Sequence, residues 1–417
     1  MSPEMAWSSN SVLREKRLLN GGFYKTIRLT LLTSRFAGVL PISGLTNHSS
    51  KLTRYTWKSF YSLIYVPRLL LQVLLFSYLL VDLIRGGISI QKLFVCKYMG
   101  TFIIESIITL RLCIKWRTMI TEVEAIERKL PPVNKPRKAV FVANLTMFAI
   151  QLCWAVCHWL YLMFLAKMTL ICYLQPDDAD SYIKSYLLVN YSWLYDQIRF
   201  SYFSGLILQV FQAQASFISN FITILVAITS MYLRNRFQTF NRIFFQRQHK
   251  SRHSKPSWME LQMYYARLTR LACVVNDYIH PFVFTTFWSD LFFISFQTYY
   301  TLNKLTLDNF YFNKCFESHR FDKESVAFCV YYFIFSVLKL SLVWFLAAEL
   351  HETSRKPLNA LYTVSSKAYT VEMQRLMTQI YRNKICLSGL NLFDITRGTI
   401  LTIMATILTY ELVLLQI

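Results

Sequence analysis

Seven times along this chain the sequence stays apolar for about 20 residues, the length that crosses a hydrocarbon core of roughly 30 Å as a single helix. The runs fall near Tyr61–Leu83, Leu93–Ile114, Val140–Ala166, Phe200–Leu233, Tyr278–Leu302, Val326–Ala348 and Ile395–Ile417. In lipid a backbone must satisfy its own polar groups, and a helix does so within one segment. The expected fold is therefore an all-α membrane protein with seven transmembrane helices. Composition agrees, because 54% of the 417 residues are hydrophobic and only 16% are charged, more apolar than a soluble domain with one closed core. The spacing of the runs leaves no room for a separate globular domain. The basic, polar stretch ahead of the first run makes a cleaved signal peptide unexpected.

A formal net charge of +22 raises nucleic acid as a partner, but the distribution of the charge argues against it. Lys and Arg crowd alternate loops: from Arg14 to Lys58 ahead of the first run, Lys115 to Lys138 in the second loop, Arg234 to Arg270 in the fourth and Arg355 to Lys384 in the sixth. The other loops are poor in charge or balanced, and the third carries Asp177, Asp178 and Asp180. The positive-inside rule then places the N-terminus in the cytoplasm, and seven spans place the C-terminus outside. That is opposite to a G-protein-coupled receptor, so seven helices alone do not assign that class. Membrane lipid is the expected surrounding, and no nucleic-acid partner is expected.

No enzyme motif occurs: there is no Gly-rich phosphate loop after a strand, no G-x-S-x-G elbow and no H-E-x-x-H. Neither a cofactor nor a metal is expected, since Cys153-x-x-x-Cys157-His158 has no second Cys or His cluster to complete a zinc site. Cys96, Cys113, Cys153, Cys157 and Cys329 fall inside spans, where a thiol packs as a small apolar group. Cys172 and Cys315 sit in outside loops and are free to pair there, and Asn190 heads the only sequon that topology places outside.

Two charged segments carry apolar stripes at helical spacing. Leu233–Asn276 has Phe237, Phe240, Phe244, Phe245, Leu261, Tyr264, Tyr265 and Leu268, interrupted by the polar stretch Gln246–Pro256. It reads as two cytoplasmic helices that extend the fourth and fifth spans. Leu358–Tyr381 has Leu361, Val364, Tyr369, Met373, Leu376 and Ile380. Such stripes outside lipid either close on one another or mate with other subunits. The organisation expected is a cytoplasmic N-terminal segment (1–60), a six-helix ligand-binding domain (61–348) with extensions around 233–276, a cytoplasmic anchor helix (349–394) and a final helix (395–417).

On that final helix Thr399, Thr402, Thr406, Thr409, Val413 and Gln416 fall within about a 100° sector. A mildly polar stripe serves either as hydroxyl glue between helices or as the wetted wall of a pore. The residues around it resemble a known family. Thr409-Tyr410-Glu-Leu-Val-Leu-Leu-Gln416 is similar to the terminal signature of insect gustatory receptors, with Ile417 in place of the usual Phe. The likeness runs from Ala347 to Gln416 through Ser388-Gly389, and Phe36–Leu45 resembles the amphipathic lead-in before the family's first span. Glu411 makes it most like the sugar-sensing branch.

The resemblance implies a tetrameric, ligand-gated, non-selective cation channel with the fold of insect odorant receptors, in the plasma membrane of chemosensory neurons. Each subunit of the homotetramer, or of a heteromer with related subunits, gives its last helix to one central pore. Thr402, Thr406, Thr409 and Val413 then line the pore, and Gln416 and Ile417 form its outer gate. Permeating cations pass there, and a small-molecule sugar binds among the first six helices. The alternative is a channel of the same family gated by a bitter or other non-sugar ligand.

Charges inside spans point to that ligand site, since each costs roughly 2.5–3.5 kcal/mol at mid-bilayer unless it meets a partner or water. Glu105, Asp196, Arg199 and Asp290 are such charges, with Arg68 and Lys339 deeper or ambiguous; Asp196 and Arg199 stand at a spacing that lets them neutralise each other. A sugar needs aromatic faces and both donors and acceptors, which Trp154, Trp193 and Tyr331 supply beside Gln297. His158 and Tyr161 are placed like a His and a Tyr on the third helix of sugar-type relatives.

Overall fold

The computed structural model describes residues 22–46, 49–85, 90–131, 198–250, 258–306, 323–364 and 369–414, with isolated positions between 145 and 195. Its helices are α1 (Phe23–Phe36), α2 (Phe60–Arg85), α3 (Ile90–Glu127), α4 (Tyr202–Lys250), α5 (Trp258–Thr306), α6 (Lys323–Tyr362), α7 (Val371–Arg382) and α8 (Arg397–Leu414). Among the described residues, five helices, α2 to α6, are long and apolar enough to cross a membrane. The third apolar run lies outside the described residues apart from isolated positions, and the last is described to Leu414.

The helices overrun their apolar stretches. At a rise of 1.5 Å per residue the 49 residues of α4 and of α5 each span about 74 Å, more than twice a hydrocarbon core. Beyond the apolar stretch the two helices carry the aromatic stripes, and those stripes meet. Phe237 stands 5.9 Å from Tyr265 between ring centroids and Phe240 stands 5.2 Å from Tyr264, both edge to face. Phe237, Phe240, Phe244, Leu261, Tyr265 and Leu268 share one core with Leu361 of α6 and with Met373, Leu376 and Ile380 of α7. Within one subunit, then, these stripes close on one another. The stripe Leu358–Tyr381 is divided between two elements: α6 ends at Tyr362, α7 begins at Val371, and Tyr369 lies exposed between them. The Thr370 hydroxyl caps α7 by accepting from the Met373 N–H at 3.3 Å, which explains the new start.

A buried ionic knot fastens this region. Glu127 Oε1 accepts from Arg236 Nη2 at 2.6 Å, from the Phe23 N–H at 3.1 Å and from the Tyr232 hydroxyl. Arg236 also donates through Nε to Tyr232 at 3.1 Å and through Nη1 to the Pro131 carbonyl at 3.2 Å. One carboxylate thereby holds the end of α3, the middle of α4 and the first residue of α1.

The lead-in after α1 is extended rather than helical. Val39, Leu40, Ile42 and Leu45 are fully buried, and β1 (Ile42–Ser43) pairs antiparallel with β2 (Arg54–Tyr55). Gly44 turns that hairpin at φ +80°, where a Cβ would stand 2.2 Å from the Leu52 carbonyl oxygen, so no other residue fits.

Candidate ligand pocket and terminal helix

Four helices converge on one polar cavity of about 90 Å³. Since a water needs at least ~10–15 Å³ of such space, the cavity has room for about six to nine water-sized positions. Helical spacing explains its composition. On α3 the positions Phe94, Lys97, Tyr98, Thr101 and Phe102 repeat every three or four residues, and the same rule brings Ser216, Ser219 and Asn220 of α4 to the opposite wall. Ser289, Asp290 and Phe293 of α5 and Phe335, Ser336 and Lys339 of α6 complete it.

The charges are held apart. Lys97 donates to the Ser289 carbonyl at 3.1 Å and lies 4.5 Å from the centre of the Phe292 ring. Glu105, the next inward position on this face of α3, is 1% exposed; its Oε1 accepts from Ser219 at 3.3 Å, and its Oε2 has no hydrogen-bond partner among the described residues. No ion pair within 4.0 Å joins Lys97, Lys339, Glu105 or Asp290 among the described residues. Two ammonium groups and the Asp290 carboxyl thus line one small space without pairing in contact, and the buried Glu105 carboxyl is tied to it through the lining Ser219. Such an arrangement needs hydroxyls or water between its charges, because an uncompensated charge in a low-dielectric interior costs several kcal/mol. Aromatic rings form the rest of the wall, with Phe94 stacked on Phe296 at 4.0 Å and Tyr98 edge-on to Phe102 at 4.1 Å.

Of the residues expected from sequence, Asp290 lines the cavity, and Glu105 is linked to it through its bond with the lining Ser219. Tyr331 lies one turn from Phe335, their rings 6.2 Å apart, with Cys153 Sγ 3.6 Å from its hydroxyl. Gln297 is on α5 and Trp193 in the short helical turn Ser192–Tyr195, but the side chains of both lie outside the described residues, as do Trp154, His158, Tyr161 and Asp196. Residues 198–201 are not helical and Arg199 is exposed, while Asp196 lies outside the described residues. The sequence reading missed Lys97 and the hydroxyl wall. Lys97 is a cation inside an apolar run and was open to the same argument as Glu105; Ser219 and Ser336 carry no such signal, because serine is ordinary between membrane helices.

Below the pocket a hairpin launches the terminal helix. β3 (Ser388–Gly389) pairs with β4 (Phe393–Asp394), and its turn residues Leu390 and Asn391 sit at φ 50° and 59°. A leucine in the left-handed region is strained and needs outside support. The Leu390 N–H donates to the His280 carbonyl at 3.3 Å, while Asn276 both accepts from the Ser388 N–H and donates to its hydroxyl at 2.9 Å. Phe393 packs between α5 and α6, 4.6 Å from Phe287 and 6.4 Å from Trp344 between centroids. Gly389 opposite leaves room for that ring, as a Cβ there would stand 2.3 Å from its tip and push it aside.

On α8, Thr402, Thr406 and Thr409 are exposed, and each hydroxyl donates to the carbonyl four residues back at 2.8–3.1 Å. Thr399 is different, since it bonds Thr396 and the Asp394 carbonyl at the helix start. The side chain of Val413, and all of Gln416 and Ile417, lie outside the described residues. Burial and the adjacent Asp394 carboxylate push the Cys386 thiol up to about 12, so this cysteine beside the hairpin stays protonated.

Fold and site together define a multi-pass helical membrane protein with a small, partly open pocket of mixed polar and aromatic lining. The whole-chain likeness is to an insect olfactory receptor, OR5 of Machilis hrabei: TM-score 0.57 at 16% identity for its eugenol complex, covering 94% of this chain and 98% of that one. The structure of OR5 described without eugenol gives a TM-score of 0.52 at 14% identity. A model of the trehalose receptor family matches residues 5–417, and the chain belongs to that family of insect gustatory receptors. Among Drosophila melanogaster relatives it is 25% identical to gustatory receptor for sugar taste 64f over 97% of this chain and 82% of that one. It is 21% identical to gustatory receptor 5a for trehalose, over 97% of this chain and 87% of that one. These relatives are receptors, and the chain is not an enzyme.

Proposed function

We propose that this chain is the subunit of a sugar-gated, non-selective cation channel in the plasma membrane of chemosensory neurons, assembling as a homotetramer or with related subunits. The observation that carries the reading is the pocket, where the Lys97 and Lys339 ammonium groups, the Asp290 carboxyl, a hydroxyl wall and aromatic faces meet in a small space. A neutral polyol satisfies such a site. Its hydroxyls donate to Asp290 and accept from Lys97 and Lys339, and its C–H face packs on the rings. The relatives for sugar taste and for trehalose support the same ligand class. Trp154, His158, Tyr161, Trp193, Asp196, Gln297 and Tyr331 are proposed to extend the site toward the outer side.

Gating follows as a population shift. Ligand binds more tightly to a state in which α5 and α6 move against Phe393, and the hairpin passes that movement to α8. In the proposed tetramer the Thr402, Thr406 and Thr409 face, with Val413, lines the pore, and Gln416 and Ile417 close its outer mouth. Segment 1–60 lies in the cytoplasm, 61–348 forms the ligand domain, 349–394 the anchor and 395–417 the pore helix.

The test is whole-cell current from cells expressing this chain while mono- and disaccharides, polyols and bitter alkaloids are perfused, with Asp290→Asn beside wild type. A sugar-evoked cation current is expected, its half-maximal concentration raised roughly 10- to 150-fold in Asp290→Asn, the loss of one hydrogen bond to a charged group. A current evoked by alkaloids and by none of the sugars would overturn the sugar reading and leave the bitter-type channel.

A further inference from the structure

Two opposite charges line the pocket from neighbouring helices, and neither has a partner in contact. Asp290 on α5 and Lys339 on α6 are half-buried against the cavity, and unlike Oε2 of Glu105 their polar atoms are not sealed off. Among the described residues neither makes a hydrogen bond or an ion pair within 4.0 Å. They are nonetheless near enough for each to act on the other's charge. Asn220 of α4 lines the same space, and its amide is equally without a hydrogen bond among the described residues. Lys97 differs, because its ammonium is already committed to the Ser289 carbonyl and the Phe292 ring.

A ligand with a single charge suits one of these residues and opposes the other. An amine pairs with Asp290 but brings a further cation to Lys97 and Lys339. A carboxylate pairs with Lys339 but meets Asp290 and, behind Ser219, Glu105. A zwitterion satisfies both residues and adds no net charge to a low-dielectric interior. It offers an ionised group to each protein charge, whereas every bond from a polyol has a neutral hydroxyl on one side. Because the two side chains stand beyond contact, a carboxylate and an ammonium joined through one carbon fit between them. The space of about six to nine water-sized positions also matches the roughly five to eight non-hydrogen atoms of glycine, alanine, serine or proline.

We propose that the pocket also takes a small neutral α-amino acid as its zwitterion, with the α-carboxylate on Lys339, the α-ammonium on Asp290 and a short side chain against the aromatic wall. Resting on the reading of this cavity as the ligand site, though not on the ligand's being a sugar, the assignment makes amino acid and sugar compete for one space.

The experiment is a thermal melt of the purified full-length protein in detergent at neutral pH, titrated with L-alanine, with glucose and with trehalose. Two analogues that each keep one charge of alanine, alaninamide and N-acetylalanine, are titrated beside them. The expected result is a saturable rise of roughly 1–3 °C in melting temperature with alanine, and none with either analogue at the same concentration. In Lys339→Met and in Asp290→Asn the alanine concentration that gives half the rise is expected to increase at least about tenfold, and either variant suffices if the other does not fold. A rise with a sugar, weakened in Asp290→Asn, but none with alanine would overturn the amino-acid site and leave the cavity as a sugar site. An alanine effect matched by an analogue, or unchanged in the variants, would overturn the proposal as well. No rise with any of these ligands would overturn it together with the reading of the cavity.

Discussion

Arg236→Met is expected to leave almost no receptor at the cell surface. Its guanidinium is 2% exposed and spends its three nitrogens on Glu127, Tyr232 and the Pro131 carbonyl, joining elements more than 100 residues apart in sequence. Removing one partner strands the Glu127 carboxylate in the interior, at a cost of about 3–5 kcal/mol, a large part of the roughly 5–15 kcal/mol by which a folded domain outweighs its unfolded chain. Surface biotinylation with size-exclusion profiles of the solubilised protein measures the loss. The double variant Arg236→Met with Glu127→Leu removes both charges and is expected to regain part of the expression. Arg247→Met, which breaks the half-exposed pair with Glu260 at 2.8 Å, is expected to change little. Equal loss in the single and double variants would show that packing, not the buried charge, decides the outcome.

Phe393→Ala is expected to separate binding from opening. The ring packs against Phe287 on α5 and Trp344 on α6, themselves in contact at 4.8 Å on two helices that also line the pocket, and it sits four residues ahead of the first residue of α8. A truncation from Phe to Ala in a packed site costs about 3–5 kcal/mol, and any part of that contact made only in the open state is subtracted from the drive to open. A deficit of 1.4 kcal/mol is about tenfold in the equilibrium. Maximal agonist current per surface channel is therefore expected to fall at least about tenfold. The agonist-induced rise in melting temperature should persist, because the pocket residues are untouched. Gly389→Ala is expected to give the same phenotype through displacement of the ring. Current that falls only in proportion to surface number would remove the hairpin from the gating path.

The parts of this molecule that were legible in its sequence are those set by local periodicity. Apolar runs gave the helices to within a few residues at both ends of α2 and at the start of α8, and the aromatic spacing from Phe237 to Leu268 gave the two extensions. Glu105 and Asp290 were legible because a carboxyl in an apolar run stands out on cost alone. The hydroxyl wall, the knot at Glu127 and the position of Phe393 depend on which helix packs on which, and one sequence carries no record of that. Arg68 was visible as a charge, but only the packing of α2 on α3 shows that the polar side of the helix is the buried one.

The length of α5 carries a consequence for pharmacology. The helix holds Asp290 at the pocket and, across Pro281, the Tyr265 and Leu268 core far below it, so in the proposed gating a ligand in the pocket and a binder on the lower bundle act on one equilibrium. Reciprocity then requires that a nanobody gripping the lower bundle more tightly in the resting conformation weaken agonist potency by the same factor by which the agonist weakens the nanobody. In the proposed orientation such a reagent, delivered inside the cell, would tune the response without ever approaching the ligand.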